Sequence, residues 1–416
     1  MTSIAPTLKA WTLLAYTVAD DKGTGAEIDS AAKDELEAIS DAADFGHVNV
    51  AAQVDFKHTR GAYRGTLTDA RPPANQAGLV PAKYPFWRTI ADHLRGSTLT
   101  VEIDHKELDA ARAGVLHSFM DYGRRECPAH RYMLYFYGHG YGPMGLFYDS
   151  AKKERPAHTL RLNDLADSLQ TPGHKAAVVL FRDCFMSTLE TAYQLKDVAD
   201  FVIASQSEAP IAGIWPWKKF LNELRQVHAS REVARALATH LGEFLDEETN
   251  RVPFADVPIA LLDLRAAEEV VTPLKDLTNA LVAARGDAAC AKALEDARVG
   301  YPDSPSTAPG DPALLDVPTM CENLERVGVA SVANAAKALG LVVGSRLVTW
   351  HHSQKSVYKG TSIYYKPVRP DDIKRSHIQQ EDAADAEKDA VGYRQLALNK
   401  ATGWHRIALH PLALKD

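Results

Sequence analysis

Cysteine is scarce in this chain of 416 residues: Cys127, Cys184, Cys290 and Cys321 are all it has. They are too few and too scattered for a disulfide framework or a paired CxxC zinc site, and a reducing cytosol suits them. Lysine and arginine form no dense block, and the net charge is −7. Nothing in that balance would track a phosphate backbone, so no nucleic-acid partner is expected. No stretch approaches the roughly 18 consecutive apolar residues of a membrane helix, so no membrane partner is expected either. The opening MTSIAPTLKAWTLLAY has no basic stretch leading into a long apolar core and a small-residue cleavage site. No secretory signal is read there, and the expected location is cytoplasmic. GxxxxGKS/T and HExxH are both missing, so P-loop nucleotide and zinc-hydrolase chemistry have no motif to stand on.

What the chain does have is apolar content, at 46% of positions. That is enough to bury a large core in one big domain or two medium ones. Strand-length apolar runs alternate with helical patterns through the first 265 residues: WTLLAYTVA, an acidic amphipathic helix near 27–44, HVNVAAQVD, a helix near 106–124, RYMLYFY, AAVVLF, DFVIAS and VPIALLDL. Such alternation predicts an α/β fold, an α/β/α sandwich around a mainly parallel sheet. Residues 56–105, rich in proline, read as loop and hairpin. Beyond 265 the pattern changes to helices near 265–285 and 316–340, then strand-like LVTWHH and TSIYYKP, an acidic segment near 380–390 and a closing YRQLALNKATGWHRIAL. The expected organisation is a core over 1–265 and a C-terminal region over 266–416 that packs on it.

Two strand ends carry the chemistry. RYMLYFY delivers His139 inside GHG, and AAVVLF delivers Cys184 inside RDCFMS. In an open parallel sheet ligands bind at the carboxyl ends of strands, so both residues are candidates for one site. A cysteine attacks as thiolate, and a nearby histidine can stabilise that thiolate or protonate a leaving amine. The glycines around His139 let backbone approach a substrate, and the N–H of Gly140 could hold an oxyanion together with that of Cys184. A caspase-type histidine about 50 residues before its cysteine is a known spacing. The competing readings are a small buried hydrophobe for Cys184 and a turn residue for His139.

The blocks WTLLAYTVADD, VNVAAQVD, YFYGHGYG, LRLNDLADSL and VVLFRDCFMSTLETAYQLKDVADFVIASQSEAP, with YKGTSIYYKP and YRQLALNKATGWH, resemble the clostripain family of cysteine peptidases, in a caspase-like clan, almost end to end. The resemblance implies a caspase-like fold and a thioester acyl-enzyme formed by a Cys184–His139 dyad. It implies Gly140 at the oxyanion, a protein or peptide substrate, and no organic cofactor.

Family members that cut after arginine or lysine resemble one another in an Asp-Ala-Cys triplet and a Gly-Trp-Asp-Tyr segment. Here those places hold Arg182-Asp183-Cys184 and Ile214-Trp215-Pro216-Trp217. Side chains alternate along a strand, so Arg182 shares the face of Cys184 and is expected in the first substrate pocket, with Ser207, Glu208 and Trp215 beside substrate. A guanidinium suits a carboxylate. The expected P1 residue is therefore not Arg or Lys, and acidic P1 is the favoured reading; a neutral pocket, with Arg182 paired to a local acid such as Glu208, competes with it. Family members are often cut between histidine and cysteine, and SAKKERPAHTLR at 150–161 offers Lys152, Lys153 and Arg155 to an activating protease. The overall expectation is a regulated intracellular endopeptidase, a zymogen acting in a stress or antiviral response; a catalytically silent scaffold and an Arg/Lys-specific protease are the alternatives. Calcium at Asp20-Asp21 competes with turn capping, and His351-His352 face opposite sides of a strand, against a shared metal.

Overall fold

The computed structural model describes residues 8–19, 26–56, 61–67, 109–149, 158–171, 175–209, 213–226, 229–251, 257–299, 313–354, 357–366, 391–410 and 412. The strands in chain order are β1 (Lys9–Val18), β2 (Val48–Phe56), β3 (Gly61–Leu67), β4 (Ala129–Tyr137), β5 (Leu146–Asp149), β6 (His158–Leu160), β7 (Ala176–Phe181), β8 (Ala199–Ser205), β9 (Ile259–Asp263), β10 (Arg298–Val299), β11 (Leu314–Asp316), β12 (Val348–His352) and β13 (Ser362–Tyr364). The helices are α1 (Ala26–Ala42), α2 (Ala113–Glu126), α3 (Leu162–Leu169), α4 (Leu189–Leu195), α5 (Trp217–Arg225), α6 (Ser230–Arg251), α7 (Val271–Ala283), α8 (Ala288–Glu295), α9 (Val317–Leu324), α10 (Ala330–Val342), α11 (Ala397–Thr402) and α12 (His405–Ala408).

Eight strands make the central sheet in the order β12-β9-β8-β7-β4-β1-β2-β3. The five from β8 to β2 run parallel, and β3, β9 and β12 each pair antiparallel with a neighbour. A mainly parallel sheet needs cover on both faces, which is why its strands read as unbroken apolar runs rather than alternating ones. Alternation shows instead in where side chains go. Trp11, Leu13 and Ala15 of β1 enter one apolar cluster with residues of α1, α5 and α6. Leu14, Tyr16 and Val18 enter the other, with residues of α2, α3, α4 and the helices from α7 to α12. Three layers result, helices on each side of the sheet.

Several boundaries differ from those expected. The helix expected near 106–124 starts at Ala113. The helical pattern 316–340 is two helices: Asp316 caps α9 by accepting the Thr319 N–H at 2.8 Å, and Val329, in extended conformation, starts α10 afresh. The end of the polar run 150–161 is strand β6, paired with β5. The apolar cluster beneath the site contains side chains from Leu14 to Leu412, and β12 supplies an outer strand of the sheet. No described helix is long and apolar enough to cross a membrane.

Candidate active site

Strand β4 runs into Gly138-His139-Gly140 and β7 into Arg182-Asp183-Cys184. The two strands are parallel neighbours with Phe136 opposite Phe181, and the Arg182 N–H donates to the Phe136 carbonyl at 2.8 Å. Both loops therefore leave the carboxyl end of the sheet, next to β1, where the strand order reverses and open α/β sheets place their ligands. A Cβ on Gly140 would stand 2.6 Å from the Cys184 nitrogen and 2.9 Å from the Asp183 Cβ. Only glycine fits there.

The Cys184 sulfur accepts the Ala209 N–H at 3.3 Å and lies 3.7 Å from the Ala209 carbonyl. Burial pushes its pKa up to about 11; Asp183 and Glu208 push the same way, while the Ala209 and Gly140 N–H groups pull it down. Near neutral pH the thiol is protonated. Among the described residues its hydrogen bonds go to these backbone groups and not to the His139 imidazole, which stacks on Tyr141 with centroids 6.1 Å apart. Phe147 and Phe185 are the described non-glycine residues with positive φ, 59° and 61°. Both touch the site: the Phe147 N–H donates to the His139 carbonyl at 2.8 Å, and Phe185 follows Cys184. Backbone held in that region is strained and persists only where its surroundings over-determine it.

Arg182 corrects an expectation. It does not offer a free cation to a substrate carboxylate, because its guanidinium lies 2.7 Å from Glu35 with both side chains shut away from water. It also donates to the Gly213 carbonyl at 2.6 Å and sits 4.9 Å and 5.2 Å from the ring centroids of Tyr137 and Trp215. The partner acid is Glu35 rather than Glu208. Burial is the largest single influence and opposes the charge, but Glu35, Tyr135 and Tyr137 together outweigh it, so the Arg182 pKa is raised. Trp215 is likewise a buried wall, 2% exposed, whereas Ser207 is half-buried and Glu208 exposed, two residues and one residue before Ala209.

Glu35 does not figure among the residues expected from sequence. It accepts from the Tyr135 hydroxyl at 2.9 Å, the Trp217 indole at 2.8 Å and the Trp215 N–H at 3.3 Å. The signal for it is legible: Ile28, Ala32, Leu36 and Ile39 are the buried stripe of α1, and Glu35 falls on that stripe. Asp183 is a second surprise. Fully buried, it has no hydrogen-bond partner for either carboxylate oxygen among the described residues, and burial pushes its pKa well above the usual carboxylate range. His352 pairs with Asp246 at 2.9 Å on the outer strand β12. Among the described residues no group of three or more His, Cys, Asp or Glu side chains is placed to hold a metal. Asp20, Asp21, Lys152, Lys153 and Arg155 lie outside the described residues.

The sequence model of the clostripain family of peptidases matches residues 96–305. The chain belongs to the clostripain family. It is a cysteine protease of that family, acting on peptide substrates. No curated protein matches it in sequence. Among solved structures it is similar to an inactive zymogen C11 protease from Parabacteroides distasonis, at TM-score 0.64 and 17% identity over 96% of this chain and 99% of that one. It is similar also to a secreted C11 cysteine protease from Bacteroides thetaiotaomicron in complex with an irreversible peptide inhibitor, at TM-score 0.62 and 16% identity over 95% and 99%. Their likeness shows the fold, an α/β/α sandwich of caspase-like type; the family match shows the class of enzyme.

Proposed function

We propose that the chain is an endopeptidase in which Cys184 is the nucleophile and His139 its proton-transfer partner. The observation that carries this is the contact of Gly140 with the Cys184 backbone, which joins the GHG and RDC loops at neighbouring strand ends. The thiolate attacks the scissile carbonyl while the Gly140 and Cys184 N–H groups hold the developing oxyanion. His139 protonates the departing amine, leaving a thioester, and then takes a proton from the water that hydrolyses it.

A latent state is proposed for the uncut chain. Its thiol is protonated, and the Ala209 backbone lies against the sulfur. Cleavage at 150–161 by a second protease is the proposed activating event. The P1 residue is proposed to be neither Arg nor Lys, because Arg182 stands where a basic side chain would need an acid and Glu35 is already committed to it. The same pairing removes the free cation on which an acidic preference would depend, so an uncharged P1 side chain is the reading favoured. The four free cysteines support placing the protein in a reducing compartment such as the cytoplasm.

The test is labelling by a thiol-reactive peptide probe before and after a cut at 150–161, followed by a P1 library. Labelling that depends on Cys184 and on the cut supports the reading. Strong cleavage after Arg or Lys would sink the specificity, and no labelling under any activating condition would favour a silent binding protein.

A further inference from the structure

The turn after Cys184 is stitched to the segment after β8. The Phe185 N–H donates to the Ser207 carbonyl at 2.9 Å and the Ser187 N–H to the Ser205 carbonyl at 2.8 Å. Gln206 lies between those two acceptors, and its side chain turns away from the site into a buried polar cluster. Its amide donates to Asp316 Oδ2 at 3.0 Å and to the Ser362 hydroxyl at 2.9 Å, and its Oε1 accepts the Gly360 N–H at 2.6 Å. Asp316 accepts in addition from the Thr319 and Lys359 N–H groups, each at 2.8 Å. From the other side, the Ser187 hydroxyl donates to the Gly360 carbonyl at 2.7 Å, and the Ser187 carbonyl accepts the Ser362 N–H at 2.9 Å.

We infer that Gln206 and Asp316 are positioning residues for Cys184, clamping the nucleophile turn to segment 358–362 of the C-terminal region. This rests on Cys184 being the nucleophile. Two features of the cluster favour a positioning rather than a merely cohesive role. Gln206, Asp316, Ser187 and Ser362 are all buried, and all three hydrogen-bonding atoms of the Gln206 amide are used. A network satisfied in this way admits one arrangement, because every alternative leaves a buried polar atom unpaired. Its grip also falls on the residue that needs it. Phe185 holds φ at 61°, and its backbone sets the direction in which Cys184 presents its sulfur. A misplacement of about 1 Å transmitted from outside the chemistry can cost on the order of 100-fold in rate.

Gln206→Glu sets a carboxylate against Asp316, and Gln206→Glu with Asp316→Asn restores a donor facing an acceptor, while the Lys359 N–H that shares Asp316 Oδ2 loses its partner. The readout is the rate of Cys184 alkylation by iodoacetamide across pH, followed on its peptide by mass spectrometry well below the melting transition. The single variant is expected to lose on the order of tenfold or more, with a displaced pH midpoint, and the paired variant to recover part of both. Gln206→Met, which adds no charge, supplies the comparison where Gln206→Glu does not fold. A single variant with the native rate and midpoint, or a pair no better than the single, would overturn the clamp. Failure of the underlying assignment looks different: peptide-probe labelling would then survive Cys184→Ala, whereas with the clamp alone refuted that labelling still requires Cys184.

Discussion

Glu35 of α1 and Arg182 at the end of β7 form an ion pair at 2.7 Å with neither side chain reaching solvent. Removing one partner strands the other charge in the interior. Glu35→Gln is expected to cost about 3–5 kcal/mol of stability by urea denaturation, and Glu35→Leu combined with Arg182→Met to regain most of it. A loss under about 1 kcal/mol for Glu35→Gln would mean the guanidinium finds another acceptor.

Gly140→Ala tests the contact between the two loops. The added Cβ meets the Cys184 backbone, which cannot yield without moving β7. Cys184 labelling should fall on the order of 100-fold, with the fold retained by circular dichroism. Wild-type labelling in this variant would show that the loops separate freely.

A thiol raised to about 11 gains thiolate steadily with pH. Iodoacetamide alkylation of Cys184 in the uncut protein should climb about tenfold per pH unit from neutrality to about pH 10, where an ordinary thiol levels off near 8.5. After activation the midpoint should drop. A plateau near pH 9 in the uncut protein contradicts the latent arrangement.

Asp183 gives a stability slope. Its folded pKa lies above the unfolded value of about 3.9, so the folded state keeps a proton that the unfolded state releases. Its contribution is most favourable in acid and declines as pH rises from that unfolded value through the folded one. Asp183→Ala should flatten this decline and gain about 1–3 kcal/mol at mildly alkaline pH, read from melting curves across pH. A variant with the wild-type slope would locate the decline elsewhere.

Sequence pattern was informative where burial is simple. β1, β4, β7 and β8 are buried on both faces, so their apolar runs announced a covered parallel sheet. The same logic placed His139 and Cys184 at the carboxyl ends of strands, which the sheet sets side by side. It faltered on polar residues whose partners are remote along the chain. The face of Arg182 was legible, but its committed acid comes from helix α1, and a local search stops at Glu208. Gln206 and Asp316 were silent because no period or motif marks a hydrogen bond between residues so far apart in sequence. The break between α9 and α10 was missed because it is short, from Glu325 to Val329, inside a continuous apolar pattern.

The polar cluster around Gln206 also bears on the order in which the protein is made. A chain still emerging from the ribosome has its histidine, its cysteine and most of its sheet before residue 299, yet Ser187 and Gln206 wait for Gly360 and Ser362. Glu190 of α4 waits longer still, for the hydroxyl of Tyr393 at 2.7 Å. The turn after Cys184 thus takes its final shape only once residue 393 has been made. A product truncated before Gly360 carries Cys184 without the hydrogen bonds that fix the turn after it.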